Sequence, residues 1–302
     1  MNIDIFIEWY SKINQNKFNS SYSPHKPLTI LMALTKTLTD VRWINYQKDR
    51  KNLEELIHSF TNLTSKPNCL QPLHRLCNDS KESPFWTESP HLPENKSGDI
   101  TSSDATANDY KAGFSDEVYN WLLNNKSTAQ YLIDFIMEDN FPETLHEDLL
   151  VKLEIDSLVP QIISPETITT TVNRIKRDPN FPKLVMQAYD HRCAVCGLKI
   201  FKNTNPLPME AAHIKWKARG GECSVENGLS LCPTHHYTFD KGIWSIDLNY
   251  SILLSESVLF DTKTDRYFLP FKGSSITNYL LDKRYSPLKE HLEWHNTEIF
   301  SN

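Results

Sequence analysis

Residues 193–240 hold the side chains best suited to chemistry: Cys193-x2-Cys196, His213, Asn227, Cys232-x2-His235, His236 and Asp240. Cys-x2-Cys places two thiolates on a tight turn at adjacent corners of a tetrahedron, and Cys232-Pro-Thr-His235 can supply the other two. Gly197, directly after Cys196, suits the backbone turn such a knuckle needs. Four protein ligands leave no open position, so Cys193, Cys196, Cys232 and His235 predict a structural zinc ion and not a reactive one. His213 ends a strand-like apolar run and is placed as a general base that activates water. His236 and Asp240 stand at i and i+4 of a predicted helix, so they share a face and can hold one divalent cation, Mg²⁺ or Mn²⁺. Asn227, followed by Gly228, has a carboxamide suited to bridging backbone groups of a loop and so orienting His213. A positioned base beside a bound cation is the equipment for hydrolysing a phosphodiester.

Charge points to the same substrate class. The chain of 302 residues has a formal net charge of -6, yet Arg174 to Arg219 holds ten basic residues against three acids. Phosphate neutralisation is the main sequence-independent source of affinity for DNA, so this stripe predicts a nucleic-acid partner. Within it Lys215 and Arg219 follow the base on a Gly220-Gly221 turn and are candidates for phosphates flanking the cut. No apolar run is long enough to span a bilayer, and Met1-Asn2-Ile3-Asp4 opens neither a basic n-region nor an apolar h-region, so a cytoplasmic protein is expected. Six cysteines, three of them in metal-ligand spacing, predict no disulfides. The remaining Cys69, Cys77 and Cys223 read as small buried or neutral residues. A zinc-containing DNA-binding protein or transcription regulator that does not cleave is the alternative, and the trio His213, Asn227 and His236 weighs against it.

These residues need elements to position them. Length and composition (39% hydrophobic, 23% charged) indicate a two-domain globular chain. The fold class is α+β, a mainly helical mixed N-terminal recognition domain followed by a zinc-clamped nuclease domain. Leu28, Leu31, Leu34 and Leu38 after Pro27 predict a helix over about 26–39. Residues 91–109 are polar and read as a long loop or weak hairpin. Ser127-x-x-Gln130 and Thr144-x-x-Glu147 have capping-box spacing and predict helix starts near 128 and 145. The first domain is therefore 1–155, the Pro-containing stretch 156–173 is a linker, and 174–302 is the second domain. There, an amphipathic helix through Phe181, Leu184, Val185 and Ala188 leads to Cys193, and Leu288, Leu292 and Trp294 give a terminal helix its packing surface.

Residues 174–302 resemble the HNH, or ββα-metal, nucleases, through RDPNFPKLVMQAYDHRCAVCG, AAHIKW, ENGLSLCPTHH and FDKGIWSID. Within that family they are similar to restriction endonucleases of the McrA kind. The resemblance implies a general base at His213, a structural role for Asn227 and metal binding by His236. Many relatives place an acid or histidine directly before the base, where this chain has Ala212, which leaves the ion fewer protein ligands.

The first 155 residues resemble the sulfur-binding domain fused to HNH nucleases that recognise phosphorothioate-modified DNA. The resemblance rests on His25-Lys26-Pro27-Leu28, on Ser83-Pro84-Phe85-Trp86, and on the run from Phe141 to Asp148. It implies that Pro84, Phe85 and Trp86 form an apolar pocket for the sulfur atom and that His25 contacts the adjoining backbone or base. Sulfur in place of a non-bridging oxygen is less hydrated, so an apolar pocket discriminates where a cationic one would not. Ser83 stands where a tyrosine is usual, which leaves another backbone or base modification open as the ligand. The expectation is a modification-dependent endonuclease acting on double-stranded DNA, as a homodimer because one HNH site cuts one strand.

Overall fold

The computed structural model describes residues 1–15, 17–18, 21–61, 66–80, 84–155, 180–207 and 209–300. The predicted linker 156–173, the basic residues Arg174, Lys176 and Arg177, and Ser83 lie outside them. Among the described residues, 1–140 with 146–155 form one compact unit, and 141–145 with 180–300 form another.

The first unit runs α1 (Ile3–Lys12), β1 (Lys17–Phe18), β2 (Ser21–Tyr22), α2 (His25–Leu38), β3 (Trp43–Asn45), α3 (Tyr46–Ser59), α4 (Leu70–Asn78), β4 (Trp86–Ser89), α5 (Ser102–Ala107), β5 (Lys111–Phe114), α6 (Asp116–Asn124), α7 (Lys126–Asn140) and α8 (His146–Lys152). Leu28, Ile30, Leu31, Ala33 and Leu34 are all fully buried, so α2 is enclosed around most of its circumference. It packs chiefly against α7. Strands β3, β5 and β4 form an antiparallel sheet with β5 central, in the register Trp43↔Gly113 and Trp86↔Phe114. A Cβ at position 113 would lie 2.7 Å from the Arg42 carbonyl oxygen, so the close pairing of β3 on β5 requires glycine there.

Two expectations change. The polar stretch 91–109 is not all loop: Thr101 caps α5 by accepting from the Asp104 N–H, and Ala105 is buried. Thr144 does not cap α8. A 3-10 turn over Glu143–Leu145 precedes that helix, and the Thr144 hydroxyl donates to Asp240 in the second unit's core.

The second unit runs α9 (Asn180–Ala188), β6 (Phe201–Lys202), β7 (Asn205–Pro206), β8 (Glu210–His213), β9 (Gly228–Leu231), α10 (Pro233–Asp240), β10 (Trp244–Ile246), β11 (Ile252–Leu254) and α11 (Lys289–Glu298). Its centre is the antiparallel β8–β9 pair, from Glu210↔Leu231 to His213↔Gly228, followed at once by α10. All four residues of β9 are buried, as a strand covered on both faces must be. Helix α9 lies against this pair so closely that a Cβ at Gly228 would sit 2.3 Å from Val185 Cγ2. Pro233 occupies the first turn of α10, where its missing N–H costs no helical bond. Two predicted packing residues are not core: Leu184 is 46% exposed and Leu288 43%. Phe181 and Val185 supply the buried face of α9, and Leu292 and Trp294 that of α11. Leu288 precedes the first turn of α11 and so points off its packing stripe.

Candidate active site and metal centre

Cys193, Cys196, Cys232 and His235 offer ligand atoms that all lie within 4.8 Å of one another. His235 Nδ1 is 3.2 Å from Cys232 Sγ and 3.6 Å from Cys193 Sγ, close to the edge of a tetrahedron with ligand bonds of about 2.0–2.3 Å. The other ring nitrogen, Nε2, lies 3.0 Å from the Tyr267 carbonyl oxygen. That contact fixes the tautomer that turns Nδ1 to the thiols. Hydrogen bonding from Cys193 and Cys196 holds the Cys232 thiol far below its ordinary value, so a thiolate is favoured there. The donor set, its spacing and its burial fit a structural Zn²⁺. All six cysteines are free of disulfides.

His213 ends β8, and its ring is stacked on Phe181 with centroids 4.0 Å apart. Its Nε2 lies 3.5 Å from Cys223 Sγ. Asn227 is fully buried and turns its whole carboxamide to backbone. Oδ1 accepts from the Lys215 N–H at 2.8 Å, while Nδ2 donates to the carbonyls of Lys215 at 3.0 Å and Glu222 at 2.9 Å. Its own carbonyl accepts from the Ile214 N–H at 2.9 Å. Asn227 thus ties the 215–222 loop to the residue after the base. The loop turns on Gly220, whose φ of 77° is left-handed, and at Gly221 a Cβ would collide with the Lys215 carbonyl.

One turn apart on α10, His236 Nε2 and Asp240 Oδ2 lie 3.3 Å from each other. Donors about 2.1 Å from an octahedral ion are separated by about 3 Å along an edge, so the pair fits one divalent cation. Asp240 is buried, and burial raises its pKa against the lowering effect of His236 and of donors from Thr144 and Trp216. The Trp216 Nε1–H reaches Asp240 Oδ1 at 3.0 Å. Burial lowers the His236 pKa, but Glu210, Asp240 and Glu143 outweigh it and the net direction is upward. Glu210 Oε2 lies 2.8 Å from His236 Nδ1.

The structure therefore brings His213, Asn227, His236 and Asp240 to one hairpin and its following helix, with the four thiol and imidazole ligands beside them in sequence but forming their own cluster. Sequence reasoning missed four contributors. Glu210 faces His236, Trp216 and Thr144 hold Asp240, and Cys223, read as neutral filling, contacts the base. Only Glu210 left a trace, as an acid three residues before the base in a basic stripe. Lys215 is partly buried and Arg219 closes the 3-10 turn Lys217–Arg219.

In the first unit, His25 opens α2 and borders a cleft with Ser23, Lys26, Gln71, Arg75 and Asp79. Its Nδ1 is hydrogen-bonded to Ser23 Oγ, and burial lowers its pKa, which favours a neutral ring. Pro84 is exposed. Phe85 and Trp86, read as pocket residues for DNA, are 3% exposed and belong to the core. Phe85 stacks on Trp9 at 4.9 Å, and Trp86 Nε1 donates to the Leu73 carbonyl at 3.0 Å. Burying these large rings is worth more to the fold than surface display, so neither is available for DNA.

Residues 4–158 match the family described as ScoMcrA-like, DNA sulfur-binding domain, and residues 193–247 match HNH endonuclease. No curated protein matches the chain. Among solved structures, the sulfur binding domain of ScoMcrA complexed with phosphorothioated DNA aligns at 18% identity over 49% of this chain and 97% of its own, with a TM-score of 0.43. The modification dependent TagI restriction endonuclease aligns at 23% identity over 42% of this chain and 39% of its own, with a TM-score of 0.32. The type IV phosphorothioation-dependent restriction endonuclease ScoMcrA aligns at 19% identity over 52% of this chain and 36% of its own, with a TM-score of 0.41. Among the described residues no helix is long and apolar enough to cross a membrane.

Proposed function

The chain belongs to the ScoMcrA-like, DNA sulfur-binding domain family and carries an HNH endonuclease domain, and from that premise we propose that it is a cytoplasmic restriction nuclease for phosphorothioate-modified double-stranded DNA. In this reading residues 1–155 recognise the modification, 156–173 link, and 174–302 cut. The observation that carries it is the convergence of His213, Asn227, His236 and Asp240 on one hairpin and helix, beside a separate cluster of three cysteines and a histidine.

His213 takes the proton of the attacking water as the phosphodiester is hydrolysed. Its Nε2 faces Cys223 Sγ at 3.5 Å. Phe181 fixes the plane of the ring, and Asn227 holds the loop that carries Cys223. His236 and Asp240 would hold a divalent cation, Mg²⁺ or Mn²⁺, which would supply charge stabilisation at the leaving oxygen. Lys215 and Arg219 contact flanking phosphates. Cys193, Cys196, Cys232 and His235 would hold a structural Zn²⁺. In the first unit, His25 and exposed Pro84 remain the DNA-contacting residues.

Two measurements test this. Supercoiled plasmid with and without phosphorothioate is incubated with the protein and Mg²⁺ or Mn²⁺. The modified plasmid is cut preferentially, and His213→Ala slows cutting by about 100- to 10,000-fold without loss of binding, the range expected for a general base. Binding without nicking under all these conditions would leave a non-cleaving DNA-binding protein instead. Gel-shift competition among phosphorothioate, methylcytosine and plain duplexes reads the ligand, and equal affinity for all three rules sulfur out.

A further inference from the structure

We infer that Glu210 is the positioning residue of the catalytic cation site: it sets the tautomer of His236 so that Nε2, the nitrogen facing Asp240, presents a lone pair to the ion. The inference rests on the reading of His236 and Asp240 as the ion's ligands.

Strand register explains how Glu210 arrives there. Glu210 pairs with Leu231, the last residue of β9, and α10 begins at Pro233. The start of β8 therefore lies beside the first turns of α10, where His236 stands. A neutral imidazole carries one N–H and one lone pair, and an ion needs the lone pair. Two carboxylates compete for the N–H: Glu210 Oε2 is 2.8 Å from Nδ1, and Asp240 Oδ2 is 3.3 Å from Nε2.

If the proton sits on Nε2, it points at Asp240, and the two ligands satisfy each other across the edge the ion must span. With the proton on Nδ1 and donated to Glu210, the His236–Asp240 edge is open to a cation. Trp216 and Thr144 donate to Asp240 from other directions, which reduces its call on the imidazole proton. The shorter contact is the one to Glu210, so the structure favours the tautomer that binds metal. The negative charge of Glu210 also raises the basicity of the ring as a ligand. Glu210 itself is 45% exposed and His236 14%, so the carboxylate works from the rim of the site.

Mn²⁺ affinity of the full zinc-loaded chain, measured by calorimetry without DNA, tests the inference. Glu210→Ala weakens Mn²⁺ about 10- to 100-fold, the range for removing a carboxylate behind a metal-bound histidine. Glu210→Gln, which keeps an acceptor oxygen without the charge, falls between it and wild type. In the ¹⁵N spectrum of the imidazole, the Nδ1–H form of His236 dominates in wild type and loses that dominance in Glu210→Ala. Cleavage by Glu210→Ala at limiting Mn²⁺ falls and recovers as Mn²⁺ is raised, with zinc content unchanged. In a His236→Ala background, Glu210→Ala has no further effect on Mn²⁺. A further loss there makes Glu210 a direct ligand and overturns the positioning role. Wild-type Mn²⁺ affinity in Glu210→Ala, with the loss present in His236→Ala, overturns the inference and leaves the site reading intact. Wild-type affinity in His236→Ala overturns the site reading itself.

Discussion

Asn227 shows what a single side chain contributes when it touches neither water nor the expected substrate. Its carboxamide closes three hydrogen bonds to the backbone of Lys215 and Glu222, and no other described polar side chain replaces them. Removing it leaves three partly buried backbone groups without this partner, at about 1–3 kcal/mol for each that water cannot reach. Asn227→Ala is therefore expected to destabilise the second unit by about 2–4 kcal/mol in urea titration and to slow cleavage further than that loss explains, because the loop carrying Cys223 moves relative to His213. An Asn227→Ala protein with wild-type turnover at a temperature where it is folded contradicts this. Residues such as Asn227, His213 and His236 were legible because their types, order and spacing already demand a chemistry. Glu210, Trp216, Thr144 and Cys223 were not. Their partners are set by the β8–β9 register and by the docking of α10, and none of that is encoded in local spacing. Phe85 and Trp86 failed for the opposite reason: an aromatic pair beside a proline reads the same in a pocket or a core, and only burial separates the two.

Elements were legible where one face is strongly apolar, as in α2, and less so where a short cap decides, as in α5. Two clusters hold elements together, and each makes a prediction. Cys193 and Cys196 sit on the turn after α9, while Cys232 and His235 begin α10, so one ion would join the two segments. Zinc content near one per chain is expected. Cys232→Ser loses the zinc and unfolds the second unit while the melting of the first persists; a folded, zinc-free variant refutes the assignment.

The other cluster lies in the first unit. Glu88 of β4 accepts from His74 of α4 at 2.8 Å, from Tyr110 at 2.6 Å and from His91 at 2.7 Å. Burial raises the Glu88 carboxyl, but the donors from His74 and Tyr110 outweigh it and hold the pKa at about 2, below its ordinary 4.5. The hydrogen bond to Glu88 raises His74 above 6.5. A depressed carboxyl stabilises the fold above pH 4.5 and loses that contribution as pH falls towards 2; a raised histidine stabilises it below pH 6.5 and loses it as pH rises through its folded value. Their joint contribution is therefore full between about pH 4.5 and 6.5. Glu88→Gln is expected to cost on the order of 3 kcal/mol in that window, with a smaller difference from wild type at pH 3 and at pH 9. Thermal unfolding across that range reads it, and a pH-independent difference would show that His74 and Glu88 are not an ion pair.

At the scale of the whole molecule, the described residues fall into two compact units. The finer assignment of Phe141–Leu145 to the second unit was out of reach, since it depends on the Thr144 hydroxyl finding Asp240. Stoichiometry is the property left to argue. Among the described residues there is one His–Asn–His constellation, and a single such site hydrolyses one strand. A second strand needs either a second copy of the chain or a second encounter. These alternatives differ in concentration dependence. If a homodimer cuts both strands in one encounter, linear plasmid appears without free nicked circles once protein exceeds the dimer constant, and below it the rate of linearisation falls with the square of concentration. Mixing wild type with excess His213→Ala then converts the product to nicked circles, since most dimers that contain a wild-type chain carry only one active site. If monomers act in succession, nicked circles accumulate first at every concentration and the inactive variant only competes for DNA. Sedimentation of the DNA-free protein as a monomer is compatible with the dimer reading, provided that a second copy joins on DNA. Linearisation that stays first-order in protein, with nicked circles always preceding it, is not.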